Sequence, residues 1–118
     1  MYPQNQYTQK YREQQVLNAS PAERLVIIYD VALLACTRRD LEKFSRAMGV
    51  LLEGLDFNYP EVANGLLAIY QWCGELARKK RYDEAAGILR ELRDTWQSVI
   101  QRSNAVQPTE AGVAAMVA

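Results

Sequence analysis

The chain has 118 residues, 49% of them apolar and 24% charged, and fourteen Lys and Arg balance fourteen Asp and Glu. That length suits one domain able to bury roughly two-thirds of its unfolded surface. Net neutrality argues against a protein built for phosphate backbones, which needs a basic face, and the absence of histidine removes the commonest general base and metal ligand.

Residues 1–18 open the chain with a polar stretch rich in glutamine and tyrosine. It lacks the charged and apolar regions of a secretory signal, so a cytoplasmic protein is expected. Yet Tyr2, Tyr7, Tyr11, Val16 and Leu17 give this head more apolar surface than a solvated leader needs. Ser20-Pro21-Ala22-Glu23 then forms a capping box with proline at the first helical position, which starts a helix. Within that helix, the run Leu25–Cys36 is the most informative part of the chain. At 100° per residue, Leu25, Ile28, Tyr29, Ala32 and Cys36 make a core-facing stripe. Ile27, Val31 and Leu34 lie on one flank of it, Val26 and Leu33 on the other, and only Glu23, Asp30 and Thr37 form a polar wedge. A surface helix needs an apolar face of about 100°, so this one must meet a further layer. Twelve residues interrupted by Asp30 fall short of the roughly twenty that span a bilayer.

Asp40 is expected to cap a second helix, with Leu41, Phe44, Met48, Leu51, Leu52 and Leu55 on its buried stripe. Asn58 and Glu61, around Pro60, read as the capping box of a third helix, with Val62, Leu66, Ile69, Tyr70, Cys73, Leu76 and Ala77 on one face. Asp83 is expected to cap a fourth, with Ala85, Ile88, Leu89, Leu92, Trp96, Val99 and Ile100 facing inward. No stretch alternates with period two, so the predicted fold class is all-α: an antiparallel up-down-up-down four-helix bundle over residues 19–103. Residues 104–118, with Pro108 and Gly112, read as a flexible tail. Val50 and Leu67 point away from their stripes. Gly49, Gly54, Gly65, Gly74 and Gly87 permit either close helix approach or a loose bundle.

Chemistry is sparse. Cys36 and Cys73 are not spaced as a metal or redox pair, and read as reduced, buried small hydrophobes. No glycine-rich phosphate loop is present. The expectation is no enzyme, no cofactor, no metal and no small-molecule substrate. Arg38-Arg39 and Arg78-Lys79-Lys80-Arg81 would share one end of the bundle, where cations complement the C-termini of the first and third helices. Without aromatic partners they make a weak nucleic-acid site.

Three segments in order resemble the FliS family of flagellar export chaperones. They are Val16-Leu17-Asn18-Ala19-Ser20-Pro21 running into Leu25–Asp30, Leu67-Ala68-Ile69-Tyr70-Gln71-Trp72, and Gly87 to Trp96. Val31 stands where the family usually has Gly, Asn18 where it has Thr, and Gln71 where it has Asp. The helices are about one to two turns shorter at the two connections that share an end. The resemblance implies a cytoplasmic chaperone that binds the disordered C-terminal segment of flagellin, blocks premature polymerisation and docks with its cargo at the flagellar export gate protein. It also implies that the N-terminal segment covers the client surface when client is absent.

Together these readings nominate Ile27, Val31, Leu34, Leu67 and Trp72 as client-binding residues. Tyr7, Tyr11, Val16 and Leu17 are nominated as the N-terminal cap, with no direct membrane insertion. The alternative is a helical bundle that uses the same surface for a homodimer or another helical client. A weaker rival is a nucleic-acid module on the basic end.

Overall fold

A computed structural model describes residues 20–106, with side chains through Arg102. The residues of the expected N-terminal cap, Tyr7, Tyr11, Val16 and Leu17, and most of the expected tail lie outside the described residues. Four helices follow: α1 (Pro21–Arg38), α2 (Leu41–Glu53), α3 (Pro60–Arg78) and α4 (Tyr82–Val106). Each packs on its neighbours around a ring, α1 most extensively on α4. Contacts such as Tyr29 to Trp96 and Asp30 to Arg93 run antiparallel between α1 and α4. Tyr29 meets Tyr70 across the ring. The architecture is the expected up-down-up-down bundle.

Local chemistry explains the helix starts. The Glu23 backbone N–H donates to Ser20 Oγ at 3.2 Å, while the Ser20 hydroxyl donates to Glu23 Oε1 at 3.1 Å. Asp40 caps α2 by accepting from the Lys43 backbone N–H at 3.1 Å. The other two expected caps differ. Tyr59, not Asn58, precedes α3, and no side chain caps it. The preceding turn is organised by Asp56, whose carboxylate accepts from the Asn58 N–H at 2.9 Å. Helix α4 begins at Tyr82, ahead of Asp83, with the Arg81 carbonyl accepting from Ala85 N–H at 3.2 Å. Tyr82 is buried beneath the Arg39 guanidinium, 5.6 Å from its ring centroid, and that contact draws the first turn into the bundle. At its far end α4 runs to Val106, three residues past the expected boundary at 103.

The two connections at the basic end share one design. Arg39 (φ 53°) and Lys80 (φ 63°) both adopt the left-handed conformation. The next residue donates back to a helix carbonyl in each case, Asp40 to Ala35 at 2.9 Å and Arg81 to Leu76 at 2.8 Å. This closes the orphan carbonyls of the helix end without glycine. The cations there are partly engaged: Arg78 pairs with Glu75 at 2.9 Å and Arg81 with Glu84 at 2.5 Å.

The core is small residues around a few large ones. Ala22, Ala32, Ala35, Ala47, Ala63, Ala77 and Ala85 are buried, and Tyr29, Tyr70, Phe44, Leu51, Leu76 and Leu89 fill the space between them. Alanines, rather than glycines, let the helices approach: a Cβ added at Gly49, Gly65 or Gly87 would meet nothing within 4 Å. Two residues placed on buried stripes are exposed, Leu41 and Val62. Each sits in the first turn of its helix, where the ring of partners ends. Helical period marks a face but not the height at which its cover stops.

Candidate functional site

The bundle separates the buried aromatic residues of the resembling segments from the residues nominated for client binding. Residues of the three resembling segments converge inside. Tyr29 Oη lies 2.6 Å from Tyr70 Oη, and Trp96 Nε1 donates to Tyr29 Oη at 3.3 Å. Beside them Arg93 Nε donates to Asp30 Oδ1 at 2.6 Å, clasping α1 to α4 at the surface. Burial raises the Tyr29 and Tyr70 phenols above their ordinary value, so both stay neutral and hydrogen-bonded. This network registers three helices against one another; it is not a reactive centre. The thiols are likewise inert: burial pushes Cys36 and Cys73 up to about 11, away from the thiolate form that reacts. Among the described residues no group of three or more His, Cys, Asp or Glu could hold a metal ion, and no helix is long and apolar enough to cross a membrane.

The outward-facing residues make the candidate site. On α1 the Val26 and Leu33 flank turns into the bundle, Val26 being buried and Leu33 packed against the core. The Ile27, Val31 and Leu34 flank turns out: Val31 is 49% exposed, Leu34 48%, and Ile27 half-buried. Val31 faces a shallow groove between α1 and α2 of about 280 Å³, lined also by Ile28, Ala47 and Val50 with Lys43 and Arg46 at its edge. Val50, at 49% exposure, thus joins the α1 surface. Its out-of-phase position on α2 was visible in the sequence, but only the packing of α2 beside Val31 gives it a partner.

The remaining nominees do not join this face. Leu67 is half-buried on α3. Trp72, five residues on, is rotated about 140° from it and borders a separate groove between α3 and α4. In the ring order that groove lies across the bundle from the α1–α2 groove. The five residues therefore form one patch on α1 and two separate positions on α3.

The family model described as flagellar protein FliS matches residues 3–103. The chain belongs to the FliS family. The bundle keeps aliphatic side chains, Val31, Leu34 and Val50, outside its own core. A curated relative, the photosystem I assembly protein Ycf3 of Rippkaea orientalis (strain PCC 8801 / RF-1), is 28% identical over 94 residues, covering 77% of this chain and 53% of that protein. The chain spans about half the length of that relative. No solved structure matches this FliS member.

Proposed function

We propose that this FliS member is a cytoplasmic flagellar chaperone that holds the disordered C-terminal segment of flagellin, keeps it from polymerising early and assists its export. Family membership supports the class of function. The observation that carries the binding mode is the outward aliphatic patch of Val31, Leu34 and Val50. Apolar surface of this kind on a stable bundle suits an amphipathic segment that folds as it docks.

The energetics favour a client that extends beyond one patch. Fully burying an aliphatic side chain contributes about 1.5–3 kcal/mol. Covering the exposed halves of these three therefore gives about 2–4 kcal/mol. Ordering a disordered segment costs about 2–5 kcal/mol, so the patch alone roughly cancels the ordering cost. Net affinity requires further contacts, which suits a client wrapped over several faces, Leu67 among them. Docking with cargo at the export gate protein belongs to the same proposal.

Calorimetric titration with the C-terminal region of a flagellin from the same organism tests this. Tight one-to-one binding with a large negative heat-capacity change is expected, and Leu34→Asp should abolish it while leaving helix content intact. Absence of binding by folded protein, or a stable dimer that buries the α1 flank, would refute the client reading.

A further inference from the structure

The groove between α3 and α4 is the larger of the two, about 480 Å³ against about 280 Å³. Trp72 forms one wall at 51% exposure. Leu76 lies at the base and Ile88 on the opposite wall. Gly87 leaves that side open, since an added Cβ would meet nothing within 4 Å. The rim is acidic: Asp83, Glu84 and Glu91 stand against the single cation Arg81, and Arg81 is already held by Glu84 at 2.5 Å. Asp83 and Glu91 have no ion pair among the described residues. Acidic residues in a first helical turn complement the helix dipole, which accounts for Asp83 and Glu84. Glu91 lies two turns further along and is not explained in that way. The α1–α2 groove has the opposite character, with Lys43 and Arg46 at its edge and no carboxylate in its lining.

We propose that the α3–α4 groove docks a short cationic amphipathic helix of a second protein. The apolar side of that helix packs on Trp72 and Ile88. Its Lys or Arg side chains lie against Glu91 and Asp83 and over the face of the Trp72 indole, where a cation is attracted by the ring. An exposed aromatic beside unpaired carboxylates selects a cationic partner and repels an acidic one. Such docking leaves the α1 patch uncovered, so the bundle can hold two partners on opposite faces. The groove's own chemistry does not depend on the flagellin reading.

The test uses isotope-labelled full-length protein and two synthetic peptides of about eighteen residues, roughly five helical turns. Both carry the same leucine face; one has lysines on the other face and the second has glutamates. The readout is the pair of indole N–H resonances, because the chain has two tryptophans. The lysine peptide should shift the Trp72 signal and bind at least about tenfold more tightly than the glutamate peptide, a gap that narrows as salt screens the charges. Trp72→Ala and Glu91→Lys should each weaken it by about tenfold or more, whereas Leu34→Asp should leave it unchanged. Both altered side chains are exposed, and the buried Trp96 resonance reports that each variant is folded. Equal binding of the two peptides would overturn the proposal, as would shifts at Val31 and Val50 in place of Trp72. Self-association that is lost in Trp72→Ala would assign the groove to a second copy instead. A negative flagellin titration would leave all of these outcomes readable.

Discussion

Replacing Tyr29 by Phe removes one oxygen atom from the bundle and should be among the most damaging conservative changes available. The ring stays, so no cavity forms at this fully buried position. What goes is a hydroxyl that accepts from Trp96 Nε1 at 3.3 Å and pairs with Tyr70 Oη at 2.6 Å. Both partners are buried, and each unsatisfied buried polar group costs about 1–3 kcal/mol. The expected loss is therefore about 2–5 kcal/mol, a large share of the roughly 5–15 kcal/mol that holds a domain folded. Tyr70→Phe is milder, about 1–2 kcal/mol, because Tyr29 keeps its bond from Trp96. The double variant removes both hydroxyls and orphans only the Trp96 N–H. It should be no less stable than Tyr29→Phe alone, giving a coupling of about 1 kcal/mol or more. Urea unfolding of the four proteins, followed by circular dichroism at neutral pH, measures the cycle. Additive losses, or a Tyr29→Phe cost below about 0.5 kcal/mol, would refute the network as the element that registers the helices.

Three further outcomes are expected. Lys80→Gly should stabilise by about 0.5–1 kcal/mol in the same urea assay, since φ 63° suits glycine and the left-handed region penalises other residues. Arg39→Gly should gain less, because it also loses the cation over the Tyr82 ring. Asp40→Ala removes the α2 cap and should cost about 1 kcal/mol, with Asp40→Asn recovering most of it. The pH dependence follows from the thiols. Cys36 and Cys73 are raised from 9.0 to about 11, so above pH 9 the unfolded chain sheds protons that the folded chain keeps. The raised Tyr29 and Tyr70 phenols add to this effect only above about pH 10, so between about pH 9 and 10 the thiols alone should make stability fall, by up to about 1.4 kcal/mol per unit per thiol. Cys36→Ala/Cys73→Ala should flatten that part of the profile in denaturation midpoints taken across the range.

The four helices were legible because period, caps and prolines agreed, and Ser20 and Asp40 cap as their spacing suggests. The Asn58 and Asp83 expectations failed for a common reason: a neighbour outside the motif set the helix start, Asp56 through its carboxylate and Tyr82 through burial. On α1 the outward phase of Val31 and Leu34 could be read from the narrow polar wedge. Their company could not, because Val50 reaches Val31 only through the packing of α2. Leu67 and Trp72 were chosen with them by helical phase and neighbourhood; on α3 the first is half-buried and the second borders the α3–α4 groove. Nor could the sequence show that Tyr29, Tyr70 and Trp96 meet. Their separations, 41 residues between the tyrosines and 67 from Tyr29 to Trp96, carry no periodic signal.

Those separations bear on how the ring assembles. The tight left-handed turns make α1 with α2, and α3 with α4, two hairpins whose contacts are close in sequence and quick to find. The α1–α4 seam joins the two ends of the domain, and the entropy of bringing them together rises with the length of chain enclosed. In loop entropy it is therefore the costliest edge of the ring to close. It is also the edge that can part while both hairpins stay whole, with the Asp30–Arg93 clasp and the Trp96–Tyr29 bond as its latch.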